Sequence, residues 1–193
     1  MTEKAEASRV VANVIRTMPY TAYLSALSYG IVFGSDPAFH LFAALVLNEC
    51  VNHALKFVIK NAFGKNSEWV RRPDGAADTG IYPQHTPRAS TSSGMPSGHA
   101  QTAFFLATVL TASATEEAAA AAAGSSRVRG PWHIHFLYGL AVVVALSRTR
   151  YGGPYLSVVV DGSVRACHTP AQVLAGGMLG IMFGLIAIRL YYG

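Results

Sequence analysis

Apolar residues along the chain fall into five segments, which are separated by stretches rich in polar residues, glycine and proline. The segments span residues 10–33, 39–58, 99–114, 132–146 and 170–190. Apolar runs of this length are typical of helices, because strands are usually much shorter. The pattern therefore predicts an all-α fold of about five to six helices, in a single domain over residues 1–193.

The last segment is the clearest candidate for a membrane-spanning helix. Ala171 to Ile188 contains no charged residue, and Arg189, Tyr191 and Tyr192 close it. About 18 uncharged, mostly apolar residues suffice for a transmembrane helix, and Arg and Tyr at its end are typical interfacial anchors. A buried core helix is the alternative. We expect an integral-membrane bundle whose partner is the bilayer.

Composition and charge also favour a lipid environment and an anionic ligand. Only 13% of the residues are charged, against about a quarter in soluble domains. The formal net charge is +5, and many basic residues fall into two groups. The first is Lys56, Lys60, Lys65, Arg71, Arg72 and Arg88, and the second is Arg148, Arg150 and Arg165. Such groups suit phosphate or anionic headgroups, and no nucleic acid is expected because no basic helix or aromatic-basic module accompanies them.

Two connecting stretches lie between the apolar segments. Residues 61–98 are rich in Gly, Pro, Ser and Thr, which predicts a long loop of the kind that is usually functional or disordered. Glu116 and Glu117 begin an alanine run that ends at Gly124. This run is either an extension of the third helix or a flexible connector, and we expect it to carry no chemistry.

The order of the segments brings four polar side chains to one face of the membrane. If the last four segments each cross once, the end of the second, the start of the third, the end of the fourth and the start of the fifth share a face. Lys56, His99, Arg148 and His168 stand at these four positions. A single active site requires such a convergence.

The strongest local signal is the stretch from Gly94 to His99, where the long loop enters the third helix. Pro96 and Ser97 suit a helix start. Free backbone N–H groups at a helix start attract phosphate oxygens, and a histidine there can exchange protons near neutral pH. A lone histidine at a helix start is more often a capping or surface residue, so His99 needs partners elsewhere in the chain.

Those partners form a pattern that resembles the type 2 phosphatidic acid phosphatase superfamily. Its signature is Lys, six residues, Arg-Pro; then Pro-Ser-Gly-His or Pro-Ser-Ser-His; then Ser-Arg, five residues, His, three residues, Asp. Here Lys65 precedes Arg72 at the first spacing, residues 96–99 form the second block, and Ser147, Arg148 and His168 belong to the third. The resemblance implies a membrane-embedded helical fold of the kind shared with haloperoxidases.

Within the superfamily the chain looks most like the dolichyl-diphosphatases, over about residues 40–177. Residues 47–56 resemble their Asn-Glu-x-x-Asn-x-x-x-Lys helix, and residues 94–101 resemble their Gly-Met-Pro-Ser-Ser-His-x-Gln stretch. Residues 168–174 resemble their His-Thr-x-x-Gln-Val-Leu block, in which Gln172 stands where the wider superfamily has Asp.

Two departures from the family pattern leave alternatives open. The helix context selects Lys56 as the family lysine, whereas literal spacing to Arg72 selects Lys65; we favour Lys56. Nineteen residues also separate Arg148 from His168, where the family has five. The inserted stretch has two interpretations. It is either a hairpin or lid that leaves the helix ends in place, or an insertion that disrupts the site and inactivates the enzyme.

The resemblance implies a role for each site residue. His168 attacks phosphorus, His99 acts as general acid and then as base, and Gln172 accepts from the ring N–H of His168. The groups that hold the phosphoryl oxygens would be Lys56 or Lys65, Arg72, Ser97, Gly98 and Arg148. No metal or cofactor is implied. We expect Gln172→Asp to leave the fold intact and to change the pH–rate profile.

The function implied by the resemblance is hydrolysis of a polyprenyl diphosphate, such as dolichyl diphosphate, to the monophosphate. A broader lipid phosphate phosphatase that acts on phosphatidate-like substrates is a related alternative. A non-catalytic membrane protein that binds lipid or acts as a scaffold is the alternative from another class. The resemblance also implies an active site on the lumenal or exterior face of the membrane, and in a eukaryotic host the lumen of the endoplasmic reticulum.

Overall fold

The five apolar segments each form one long helix in the computed structural model, which describes residues 3–74, 76–78, 88–89, 93–124, 132–156, 158–160 and 163–192. The long helices are α1 (Glu3–Phe33), α2 (Asp36–Phe63), α3 (Gly98–Gly124), α4 (Trp132–Ser147) and α6 (Pro170–Tyr192). A short helix α5 (Gly153–Leu156) lies between α4 and α6. The predicted all-α architecture is confirmed.

Helix boundaries extend well beyond the apolar patterns in α1, α2 and α3, and α1 begins at Glu3 instead of residue 10. The helix α2 begins at Asp36, with Pro37 in its first turn, and continues past the apolar run to Phe63. The helix α3 continues through the alanine run to Gly124, so this run is an extension of the helix and not a flexible connector. Alanine has the highest intrinsic helix propensity, which explains why the backbone remains helical there.

Two small antiparallel hairpins occur in the connections between helices. The first pairs β1 (Ala77–Asp78) with β2 (Arg88–Ala89) inside the long loop between α2 and α3. The second pairs β3 (Val158–Val160) with β4 (Ser163–Arg165) inside the insertion between Arg148 and His168. The insertion is therefore a short helical turn followed by a hairpin, as one of the two sequence interpretations predicts.

The helix α3 packs most closely against α6, because glycines on α6 replace side chains at the contact. Gly176, Gly180 and Gly184 are four residues apart and therefore share one face of α6. A Cβ atom at Gly180 would collide with the carbonyl oxygen of Gln101, and one at Gly184 would lie 2.7 Å from the Cβ of Thr108. The two backbones can approach this closely only because these positions lack side chains.

The outer surfaces of α2 and α6 are apolar, and both helices are long and apolar enough to cross a bilayer. Only 17% of the apolar window of α2 and 28% of that of α6 is buried, whereas the core helix of a soluble protein is mostly buried. Large apolar side chains such as Phe57, Met178 and Leu190 are instead exposed. An extensive exposed apolar surface is typical of contact with lipid.

Candidate active site

The ends of α4 and α6 meet at a pair of backbone hydrogen bonds. The N–H groups of Cys167 and His168 both donate to the carbonyl oxygen of Arg148, at N···O distances of 3.0 and 2.9 Å. The chain thus leaves α4 at Arg148, forms the inserted hairpin, and returns to the same residue. The insertion is accommodated outside the junction, so the residues before and after it remain adjacent.

Further hydrogen bonds connect the three motif blocks to one another. Nη1 of Arg72, in the loop after α2, donates to the carbonyl oxygen of Cys167 at 3.5 Å. The N–H of Ser97, just before α3, donates to the carbonyl oxygen of Gln172 at 3.0 Å. Stretches that are distant in the sequence therefore form one polar cluster around the start of α6.

The imidazole of His168 is buried and held by the main chain of the loop before α3. Its Nδ1 lies 2.9 Å from the carbonyl oxygen of Gly94, and the residue is 3% exposed. Because a carbonyl oxygen only accepts hydrogen bonds, Nδ1 carries the proton in this contact. The lone pair of the neutral ring is therefore on Nε2, the nitrogen opposite the anchoring contact.

The surroundings of His168 favour its neutral form. Burial lowers the pKa of His168 well below its ordinary value of 6.5, and the positive charges of Arg72, Arg148 and Lys56, together with His99, lower the pKa further. These four side chains act on His168 because they are close to it. Three of them, Lys56, His99 and Arg148, are the residues that the order of the segments predicts at one face with His168, and Arg72 joins them.

The guanidinium of Arg148 is buried without a protein anion. The residue is 3% exposed, and its Nε and Nη1 have no hydrogen-bond partner among the described residues. No carboxylate in that part of the chain forms an ion pair with it. Burying an unpaired guanidinium is costly, so the geometry is that of a site built for an anionic ligand.

The start of α3 adds neutral donors to this anion site. Ser97 is fully buried, and its Oγ has no hydrogen-bond partner in the described chain. The helix begins at Gly98, followed by His99, so its first N–H groups are unused by the helix itself. Such N–H groups and the positive end of the helix dipole favour phosphate oxygens.

Gln172 has a different position from the one the sequence predicts. Its Nε2 donates to the carbonyl oxygens of Trp69 and Arg71, at 3.3 and 2.8 Å, and its Oε1 accepts from the N–H of Thr169 at 3.1 Å. The expectation that Gln172 accepts from the His168 ring is therefore wrong, because the Gly94 carbonyl has that role. Gln172 instead attaches the long loop to α6.

The two candidate lysines lie in different environments. Lys56 is half-buried on α2, and its charge contributes to the lowered pKa of His168. Lys65 follows Gly64, the residue that ends α2, and is exposed. The additional residues between Lys56 and Arg72 form two further turns of α2 and a return loop, which is why literal spacing selects Lys65.

A buried amide network beside the site was not predicted from the sequence. Nδ2 of Asn52 donates to Oε1 of Gln101 at 2.7 Å, and Nε2 of Gln101 donates to Oδ1 of Asn48 at 2.9 Å. All three residues are at most 2% exposed. The sequence leaves open whether Asn48 supports the phosphate-binding arginines or only joins helices; the structure shows it joining α2 to α3. The sequence did mark Gln101 for attention, because it lies two residues after His99 within the motif of residues 94–101.

The helical architecture and a buried cationic cluster beside a neutral histidine define a helical protein with apolar, membrane-compatible helices and a site suited to an anionic ligand. The chain belongs to the PAP2 superfamily, whose family model matches residues 37–193. Members of this superfamily are phosphatases, so the family suggests hydrolysis of lipid phosphates, and with the two candidate spans it suggests a membrane protein. No curated protein and no solved structure matches the chain.

Proposed function

We propose that the protein hydrolyses a lipid-linked phosphate without a metal ion, through a phosphohistidine at His168. The observation that carries this proposal is the buried Arg148, whose Nε and Nη1 lack partners among the described residues, beside a neutral imidazole. A phosphoryl group supplies the oxygens that such a guanidinium needs, and a neutral Nε2 is a nucleophile.

In the first step, the lone pair of His168 Nε2 attacks phosphorus while the bond from phosphorus to the leaving oxygen breaks. His99 donates its proton to that oxygen. The product is therefore an alcohol when the substrate is a lipid monophosphate, and a lipid monophosphate when the substrate is a lipid diphosphate. Lys56, Arg72 and Arg148 balance the negative charge on the phosphoryl oxygens. Fixed positive charge around a phosphoryl group stabilises its transition state.

In the second step, water attacks the phosphorus of the phosphohistidine. His99, now neutral, takes a proton from the water, and the electron pair of the breaking phosphorus–nitrogen bond returns to Nε2 of His168. Inorganic phosphate then leaves. The Gly94 carbonyl holds the Nδ1 proton throughout, so the same tautomer of His168 is restored at the end of the cycle.

The proposed substrate is a polyprenyl diphosphate, converted to the monophosphate, and the proposed location is the membrane of the endoplasmic reticulum with the site facing the lumen. The resemblance of residues 47–56 and 168–174 to dolichyl-diphosphatases supports this substrate. A broader phosphatase for phosphatidate-like lipids uses the same chemistry. A non-catalytic scaffold is less well supported, because the insertion leaves Arg148 and His168 hydrogen-bonded.

Purified protein in detergent, assayed with chelator present, tests this function. Phosphate release from a panel of polyprenyl diphosphates and phosphatidates should occur with the wild type and be lost in His168→Ala and His99→Ala. Vanadate, which resembles the pentavalent transition state, should inhibit. Equal background release from all three proteins would favour the scaffold, and the substrate with the highest kcat/KM separates the diphosphatase from the broader phosphatase.

A further inference from the structure

An apolar groove of about 490 Å³ lies between α2 and α6, separate from the polar cluster. Its walls include Leu47 and Val51 on α2 and Phe183 and Ile186 on α6, and the buried ring of Phe105 on α3 forms its back. Both helices that form the walls are candidate membrane spans. The groove is therefore open to hydrocarbon and not to water.

The groove approaches the phosphate site along α2. Val51 lines the groove and precedes Lys56 by five residues on the same helix, which is a rise of about 8 Å. On α6 the lining begins at Phe183, well beyond His168, and continues away from it. A lipid whose head lies beside Lys56 thus reaches the groove once its chain has passed about 8 Å along α2.

The lower end of the groove is closed by two aromatic rings. His40 on α2 and Tyr191 on α6 both line the groove, and their ring centroids are 4.9 Å apart. From Val51 to His40 the helix rises by about 17 Å, close to half of the roughly 30 Å hydrocarbon thickness of a bilayer. The groove has about the length of a lipid chain within one leaflet.

A hydrocarbon chain is the occupant that suits this groove. Both of its walls are candidate membrane spans, and its lining is mostly apolar. An extended chain can lie along the helices that form the walls, over the rise of about 17 Å.

We propose that this α2–α6 groove binds one hydrocarbon chain of the lipid whose phosphate occupies the site, and that the His40–Tyr191 contact limits the length of chain held. This inference rests on the proposed function for the identity of the headgroup. The groove then contributes to kcat/KM until the chain reaches the closed end, and additional carbons beyond that point add nothing.

A series of straight-chain alkyl phosphates of increasing length tests the groove by kinetics. For the wild type, kcat/KM should rise with chain length and then level off. Ala44→Phe fills the groove, because Ala44 lines it, while Ala43→Phe adds the same ring at the exposed neighbouring position. Ala44→Phe should lower kcat/KM at least about tenfold for long chains, the effect of expelling two methylene groups, and leave the shortest substrate unchanged.

Leu47→Trp provides a second obstruction if Ala44→Phe does not fold, since Leu47 lines the groove but is 62% exposed. Val46→Trp is its matched control on the exposed side. The proposal would be overturned if a folded Leu47→Trp protein lost the same factor in kcat/KM for short and long chains. It would also be overturned if each variant and its control had the same kcat/KM for every chain length.

Photolabelling tests the groove without turnover. A long-chain alkyl phosphate with a diazirine at the end of its chain should label α2 and α6 near His40 and Tyr191. Ala44→Phe should reduce this labelling at least about fivefold, and Ala43→Phe should not.

Labelling of residues outside the groove, or cross-links between two copies of the protein, would refute the proposal that the groove binds a lipid chain. Equal labelling by the corresponding long-chain alcohol would show an ordinary bilayer-lipid site only. Specific labelling without phosphate release from any substrate would instead contradict the proposed hydrolase activity, while the proposal that the groove binds a lipid chain would stand.

Discussion

The proposed attack of His168 on phosphorus requires the attacking nitrogen to be unprotonated, and the fold favours this state in two ways. The carbonyl oxygen of Gly94 accepts a hydrogen bond from Nδ1–H, which keeps the proton on Nδ1, and burial among cations lowers the pKa of the ring. In the wider family pattern an Asp follows the histidine at the place of Gln172. Here the main chain orients the ring, so no carboxylate is needed to fix the tautomer.

The lowered pKa of His168 predicts the acid limb of the pH–rate profile. Because the folded pKa lies below the ordinary value of 6.5, the neutral nucleophile persists as the pH falls below 6.5. Arg72→Gln removes one of the charges that lower this pKa, so the pKa should rise and the acid limb of kcat/KM should move to higher pH. Arg72→Lys should restore the position of the limb. A limb that is unmoved in Arg72→Gln would exclude His168 as the titrating group.

The environments of the two lysines predict which one binds phosphate. Lys56→Gln should lower kcat/KM by about 100-fold, the usual order for loss of one charge or donor at a transition state. Lys65→Gln should change kcat/KM by less than about threefold, because screening reduces the effect of an exposed charge. Phosphate release from both variants, prepared in parallel, measures this difference. The reverse order would assign the site to Lys65.

The hydrogen bonds of Gln172 predict a loss of stability on substitution by Asp. A carboxylate cannot donate to the carbonyl oxygens of Trp69 and Arg71, so these two partly buried hydrogen bonds are lost. The free energy of unfolding should fall by about 1 to 3 kcal/mol. Thermal unfolding in detergent measures this loss. An unchanged melting temperature together with a shifted pH profile would restore the orienting role expected from the sequence.

At the scale of helices, the position of the site depends on how α3 is held by α2 and α6. The amide network of Asn48, Asn52 and Gln101 fixes α2 against α3, and Lys56 follows Asn52 by one turn. His99 precedes Gln101 by two residues. The network thus determines how a cation on α2 faces a proton donor on α3, which is why buried amides lie in an otherwise apolar interface.

The α3–α6 contact predicts different outcomes for two glycine-to-alanine changes. Gly180→Ala places a methyl group against the carbonyl oxygen of Gln101 and 2.9 Å from the Phe105 nitrogen. Overpacking of this kind should destabilise the protein by about 1 to 3 kcal/mol. Gly139→Ala in α4, which meets no atom within 4 Å, should be neutral or stabilising by up to about 1 kcal/mol. Denaturation of both variants in detergent measures this, and equal stabilities would contradict the close packing.

The sequence predicted the helices because apolar segment length is a local property. It did not predict the Gly180 contact or the partners of Gln172, because these depend on which helices approach each other. Spacing alone does not choose between Lys56 and Lys65, since the number of residues between two groups does not reveal how many turns a helix makes. The convergence of Lys56, His99 and Arg148 on His168 was predictable, because it follows from the order of the membrane segments.

At the scale of the whole molecule, a polar cluster lies at one end of a bundle whose outer surfaces are apolar. The long loop, the start of α3 and the inserted hairpin all meet at the start of α6, through bonds to Gly94, Arg148 and Cys167. This arrangement leaves the bilayer-facing sides of α2 and α6 uninterrupted. A lipid can therefore be held with its chain among the helices and its phosphate among the cations.

Trapping of the covalent intermediate shows which residue, if any, carries the phosphoryl group. Protein in detergent with chelator is mixed with a lipid phosphate that carries a radioactive phosphorus, quenched in base, and digested. We predict an acid-labile, base-stable label on the peptide that contains His168, and no label in His168→Asn. Sustained phosphate release by His168→Asn, or a label on any other residue of the wild type, would contradict the account.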